Sequence, residues 1–89
     1  MAYDPVGLSA LSYANGFTLW HYRSADRAEE VDGLGYFDPA ARLLRIGDFI
    51  FLNVATQDEP EHLIRVVATN DGSRVAVQSP GPHGRGWRE

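Results

Sequence analysis

The 89-residue sequence contains no cysteine and no lysine, and no long apolar run. Without cysteine there are neither disulfides nor thiolate metal sites, and the redox compartment is left open. All eight basic residues are arginine, scattered along a chain of formal net charge −4, whereas duplex nucleic acid requires clustered cations. No segment approaches the roughly 18 apolar residues of a membrane-spanning helix. We therefore expect neither a nucleic-acid partner nor a membrane partner.

Signatures of catalysis and of metal binding are also missing. No Gly-x-Ser-x-Gly motif, His-Glu-x-x-His pair or calcium-loop pattern occurs in the sequence. The histidines His21, His62 and His83 are far apart in the chain, and His21 lies between two aromatic residues, a context typical of a packed side chain. The paired carboxylates fall in turns or short helices without apolar walls to raise a pKa. We expect no enzyme, no catalytic residue, no metal and no cofactor.

The sequence does contain short apolar segments that alternate with a period of two residues. Strands are predicted at residues 17–23, 49–56, 62–69 and 74–78, with a hairpin turn at 70–73. This pattern predicts a mainly β fold, a small open barrel or sandwich of about four or five strands with one or two short helices.

Two short helices are predicted between the first two of these strands. The first lies within residues 24–33 and is expected to begin with a capping box formed by Asp26 and Glu29. The second spans residues 38–45, with Asp38 as N-cap, and turns Leu43 and Leu44 inward. Gly47 and Asp48 then turn the chain into the next strand.

Three regions are expected: an N-terminal arm (1–16), a β-rich domain (17–79) and a Pro/Gly-rich C-terminal tail (80–89). The arm has apolar side chains without a clean period, and it is either a disordered terminus or a segment that docks on a partner. In the second case the partner-binding residues are Tyr3, Val6, Leu8, Leu11 and Tyr13.

The predicted strands are apolar on both faces. Phe17 and Leu19 alternate with other aromatic residues in the first strand, and Phe49 and Phe51 alternate with aliphatic residues in the next. A strand with two apolar faces is either sandwiched or has one face in an interface. We therefore expect self-association through Phe17, Leu19, Phe49 and Phe51.

Three sequence blocks carry a resemblance to known proteins. They are WHYRSAD (20–26), VDGLGYFD (31–38) and ARLLRIGDFI (41–50). In this order they resemble a group of small proteins encoded among the structural genes of tailed bacteriophages, which are virion components such as head decoration or fibre-associated proteins. The resemblance spans residues 17–54 and implies a structural role with no catalytic residues.

The resemblance and the apolar surfaces together predict a capsid decoration (cement) protein on the outer surface of the virion. Its partners would be the major capsid protein and its own copies, as a trimer or another small cyclic oligomer. One alternative is a tail, fibre or connector component. Another is a host-surface carbohydrate-binding module, which would stack sugars on aromatic side chains. The residues proposed for that platform are Trp20, Tyr22, Tyr36, Phe37 and Trp87.

Overall fold

A computed structural model describes residues 2–81 of the chain. Five strands form one sheet in the spatial order β1-β2-β3-β4-β5. They are β1 (Leu8–Ala14), β2 (Phe17–Arg23), β3 (Phe49–Val54), β4 (Glu61–Asn70) and β5 (Val75–Gln78). One short α-helix, α1 (Ala28–Val31), and two 3₁₀ turns, Pro5–Gly7 and Asp38–Ala40, complete the described secondary structure. The predicted mainly β fold is confirmed, and its sheet is open.

The sheet is mixed because β2 and β3 run parallel while every other neighbouring pair is antiparallel. Parallel neighbours require a long crossover, and residues 24–48 supply it with α1 and the second 3₁₀ turn. This crossover packs against one face of the sheet. We call that side the inner face.

The hydrophobic core lies between the inner face and the crossover. Each central strand contributes alternate residues to it, as expected for a strand with one covered face. The largest fully buried side chains include Tyr22, Ile50, Val54 and Val67 from the sheet. The crossover contributes chiefly Phe37, together with Val31, Ala40 and Leu44.

The N-terminal region differs from the predicted arm, because its second half is a strand of the domain. Leu8–Ala14 pairs antiparallel with β2 through the two-residue turn Asn15-Gly16. Both turn residues have positive φ, 56° for Asn15 and 83° for Gly16, which suits a hairpin that follows the right-handed twist of its strands. The β domain therefore begins before residue 17. Of the predicted tail, residues 82–89 lie outside the described part of the chain.

The predicted helix starts are corrected in the crossover. Arg27, not Asp26, occupies the N-cap of α1, and its backbone N–H is bonded by the Glu30 carboxylate at 3.0 Å. Asp38 lies inside a 3₁₀ turn of three residues, and its carboxylate accepts the N–H of Val75 on β5 at 2.8 Å. The Asp26 carboxylate accepts the Tyr36 hydroxyl at 2.7 Å, so both aspartates bond to residues beyond their own turn instead of capping a helix.

The predicted helix over residues 38–45 is shorter than expected, and only one of its two leucines turns inward. The 3₁₀ turn Asp38–Ala40 gives way to irregular turns. Leu44 is buried, whereas Leu43 is 55% exposed. Leu43 and Leu44 follow the 3₁₀ turn, and adjacent residues of a helix or turn do not share one face, so only Leu44 contacts the core.

Candidate interaction surface

The side of the sheet opposite the crossover is apolar, and no described residue covers it as a second layer. We call it the outer face. Strand alternation and register bring its members together across three neighbouring strands. They are Phe17 and Leu19 on β2, Phe49 and Phe51 on β3, and Ile64 and Val66 on β4.

Two rows of directly paired residues cross the outer face. Leu19 pairs with Phe49, which pairs with Val66 in turn, and in the next row Phe51 lies between His21 and Ile64. Side chains on directly opposed residues are about 4.5 to 5.5 Å apart at Cβ, so each row is a continuous strip. The four predicted self-association residues therefore lie on one surface.

Four of the six residues of this surface are large apolar side chains that keep more than a third of their surface exposed. Phe17 is 50% exposed, Ile64 43%, Phe49 38% and Leu19 37%. Ile64 and Val66 were not among the predicted self-association residues, although the alternation in the segment HLIRVVAT places both on one face. A contiguous exposed apolar patch on a small protein is often a contact site for another molecule.

A buried carboxylate fixes the strand that starts the outer face. Asp48 is fully buried, and its oxygens accept three N–H groups at 3.0 Å, from the backbone of Thr18, the indole of Trp20 and the backbone of Arg45. The sequence indicated a turn residue here. That turn is present, because the Asp48 N–H donates to the Arg45 carbonyl at 2.9 Å and Gly47 has a positive φ of 94°. The carboxylate in addition joins β2 to the end of the crossover, directly before Phe49 enters the sheet.

A second buried polar network lies on the inner side, beneath the N-terminal residues. The Tyr36 hydroxyl donates to Asp26 at 2.7 Å and lies 2.7 Å from the Tyr22 hydroxyl, which accepts the backbone N–H of Asp4 at 3.0 Å. Burial is the main cause that raises the pKa of the Tyr36 phenol well above its ordinary value. The ring of Tyr3 stacks on Tyr22 at 5.6 Å. The network therefore ties residues 2–4 to the core.

The residues predicted to bind a partner through the N-terminal arm separate into two groups. Tyr3 and Leu8 are partly buried against the chain's own core. Val6, Leu11 and Tyr13 are 83%, 55% and 64% exposed. Only the second group is available to another molecule, and two of its members lie on β1.

The aromatic platform proposed for sugars is not an exposed surface. Tyr22, Tyr36 and Phe37 are buried, and Trp20 is partly buried with its indole N–H bonded to Asp48. Trp87 lies outside the described residues. The rings of Tyr22, Tyr36 and Phe37 stabilise the core and are not free to stack on a ligand.

Two histidines border the outer face. His21 and His62 line a shallow depression of about 350 Å³ with Phe51 and Ile64. Across residues 2–81 no cluster of three or more His, Asp or Glu side chains could hold a metal ion. Over the same residues no helix is long and apolar enough to span a membrane. His83 lies outside this part of the chain.

The chain was compared with protein families, curated proteins and solved structures. No protein-family model, no curated protein and no solved structure matches the chain.

Proposed function

We propose that this protein is a structural assembly protein, and that it works as a bacteriophage capsid decoration protein. The observation that carries the proposal is the uncovered outer face, where six apolar side chains form a continuous surface across three strands. A second protein surface that covers this face would remove it from water. The phage setting rests on the sequence resemblance over residues 17–54.

The apolar area of the outer face indicates how strongly it can drive association. With side-chain surfaces of about 150 to 250 Å² each, the exposed fractions of Phe17, Leu19, Phe49 and Ile64 correspond to roughly 300 Å². At about 25 cal/mol per Å² their burial contributes on the order of 7 kcal/mol. Association itself costs about 4 to 15 kcal/mol, so binding needs either further contact area or many copies on a repeating lattice.

A capsid provides such a lattice, since its surface repeats one binding site many times. The major capsid protein is the proposed partner, and self-association of the chain is proposed beside it. The centre of the outer face has no charged residue, which suits close contact for a chain of net charge −4. A trimer stays the sequence-based prediction for the oligomer.

Copy number in purified virions of the encoding phage or prophage tests this proposal. A decoration protein occupies every equivalent capsid site, so quantitative mass spectrometry against the major capsid protein should find it in a fixed ratio, in hundreds of copies per particle by order of magnitude. A few copies at one vertex would instead support the alternative of a tail, fibre or connector component. Absence from washed particles would overturn the virion role.

A matched pair of variants tests whether the outer face is the contact surface. Leu19→Gln with Ile64→Gln makes two of its positions polar, while Leu34→Gln changes a leucine that is 93% exposed outside the outer face. The double variant should lose binding to particles stripped of the protein, and Leu34→Gln should bind like the natural chain. Equal binding by the two would show that another surface makes the contact.

A further inference from the structure

Among residues 2–81, the outer edge of β1 has few of the features by which proteins usually protect edge strands. β1 is seven residues long, LSALSYA, and six of them are exposed. It carries no charged residue and no proline. Natural edges are usually short, charged, interrupted by proline or covered, because an open edge pairs with other strands. A bulge between Ala10 and Ser12 is its single protective feature.

The opposite edge of the sheet shows the contrast. β5 has only four residues, and Arg74 precedes it while Pro80 follows two residues after its end. These are common ways to prevent strand addition. In the described part of the chain, one edge of the sheet is therefore protected and the other is open.

Backbone groups on the free side of β1 are available for pairing. The N–H of Thr18 donates to Asp48, so it points away from β1. Tyr13 lies opposite Thr18, so these two residues exchange no hydrogen bonds with each other. The N–H and C=O of Tyr13 therefore point outward, away from β2. A strand of another molecule can bond to them.

We propose that this second strand is β1 of another copy, paired antiparallel about a two-fold axis. Two copies with net charge −4 repel each other, and β1 with its turn is an uncharged stretch of nine residues through which they can approach. The best register places Ser12 on the axis. Leu11 of each copy then lies opposite Tyr13 of the other, and the two largest exposed side chains of the strand form two cross-strand pairs.

This pairing also enlarges the outer face. It thereby extends the contact surface on which the proposed function depends, and in this respect it rests on that proposal. A two-fold axis perpendicular to the sheet keeps the outer faces of both copies on one side. Five strands at about 4.8 Å and six residues at about 3.3 Å give a face of roughly 480 Å² per copy. One copy therefore has less than the ~800 Å² per partner of a standard interface, and pairing two copies doubles the area available for contact. The assembly would have an even number of copies instead of the three predicted from sequence.

Single cysteine variants test the register, because the natural chain has no cysteine. Ser12→Cys places two thiols across the axis in a pair whose Cα atoms lie about 4.5 to 5.5 Å apart, within the range for a disulfide. Ser9→Cys is the matched control on the same strand, since its two copies would be about 20 Å apart. Under mild oxidation Ser12→Cys should form disulfide-linked dimer at least about tenfold faster than Ser9→Cys.

Solution mass completes the experiment. The full-length natural chain should have the mass of a dimer or a multiple of it, and Tyr13→Pro should be monomeric because it removes an N–H that faces the partner and not β2. If residues 82–89 or a different protein occupies the edge, the purified chain will be monomeric and both cysteine variants will stay reduced. That result, a trimeric mass, or equal cross-linking of both variants overturns the proposal.

The two proposals fail separately. Leu19→Gln with Ile64→Gln changes the outer face and leaves β1 intact, so it should cross-link through Ser12→Cys as well as the natural background does. If virion binding is absent while cross-linking is retained, the proposed function is wrong and the β1 pairing stands. If virion binding is retained without cross-linking, the β1 pairing is wrong and the proposed function stands.

Discussion

The carboxylate of Asp48 offers the sharpest test of how this sheet is held together. It is fully buried and accepts N–H groups from Thr18 and Trp20 on β2 and from Arg45 at the end of the crossover. Asp48→Ala removes the acceptor and leaves all three donors unpaired. Asp48→Asn keeps the shape but replaces one oxygen by an amide that cannot accept a hydrogen bond.

The expected cost follows from the number of donors. A buried donor that loses its acceptor costs about 1 to 3 kcal/mol, and three that share one site do not add fully, so we expect about 3 to 6 kcal/mol for Asp48→Ala. In Asp48→Asn the best orientation keeps the oxygen that accepts from Trp20 and Arg45 and loses the bond from Thr18. That loss should cost about 2 kcal/mol. A chain of 89 residues has a free energy of unfolding of about 4 to 13 kcal/mol, so Asp48→Ala approaches complete loss of the fold.

Urea denaturation followed by far-UV circular dichroism measures these changes. The matched control is Asp58→Asn, because Asp58 forms an exposed ion pair with Arg27 at 3.3 Å and should change the free energy of unfolding by less than about 1 kcal/mol. If Asp48→Asn is no more destabilising than Asp58→Asn, the buried carboxylate does not join the strands as described.

Three further predictions concern a turn, an ion pair and a tyrosine. Gly47→Ala and Gly72→Ala both force alanine to a φ near +95°, but only at Gly47 would the added Cβ lie 2.6 Å from the Phe17 ring. In thermal melts Gly47→Ala should be the more destabilising of the two by on the order of 1 kcal/mol. Equal losses of stability would exclude a steric cause. Arg65 donates to both carboxylate oxygens of Asp32, at 2.8 and 2.9 Å. Arg65→Lys cannot keep this bidentate geometry, so it should lower the free energy of unfolding by about 1 kcal/mol in urea denaturation. An unchanged urea midpoint would refute the contribution of this ion pair. The raised pKa of Tyr36 means that its contribution to stability is fully present below about pH 10, where the unfolded phenol titrates, and falls as pH rises further. Tyr36→Phe should therefore flatten the loss of stability between about pH 9 and 11, and an identical slope in both proteins would contradict this assignment.

Local alternation was sufficient to predict the central strands. The segment FTLWHYR predicts a strand at the residues of β2, and FIFLNVAT contains β3, because both combine β-branched or aromatic residues with a period of two. The same alternation placed Phe17 with Leu19 on one face of the first strand and Phe49 with Phe51 on one face of the next, without showing that the two pairs share a surface. Register followed from the structure, which aligns Leu19 with Phe49.

The features that sequence reasoning missed depend on partners that are distant in the chain. Asp26, Asp38 and Asp48 each read as local cap or turn residues, yet their carboxylates accept from Tyr36, Val75 and Thr18. Aspartate is common at caps, and that local preference is the only signal available when the tertiary partner is unknown. β1 was missed because serine and alanine give it a weak apolar period, although the dipeptide Asn15-Gly16 is a strong hairpin signal.

The one-sided arrangement of the core connects chain length with association. The crossover of residues 24–48 is the main layer against the inner face, and residues 2–81 form no second layer on the outer face. Selection for a stable monomer would place polar residues at the uncovered positions, as is usual on the water-exposed face of an antiparallel sheet. Phe49 and Ile64 instead remain apolar although they are 38% and 43% exposed, and the neighbouring edge at β1 remains uncharged. Because the apolar face and the open edge occur side by side, the same explanation, contact with other protein surfaces, accounts for both.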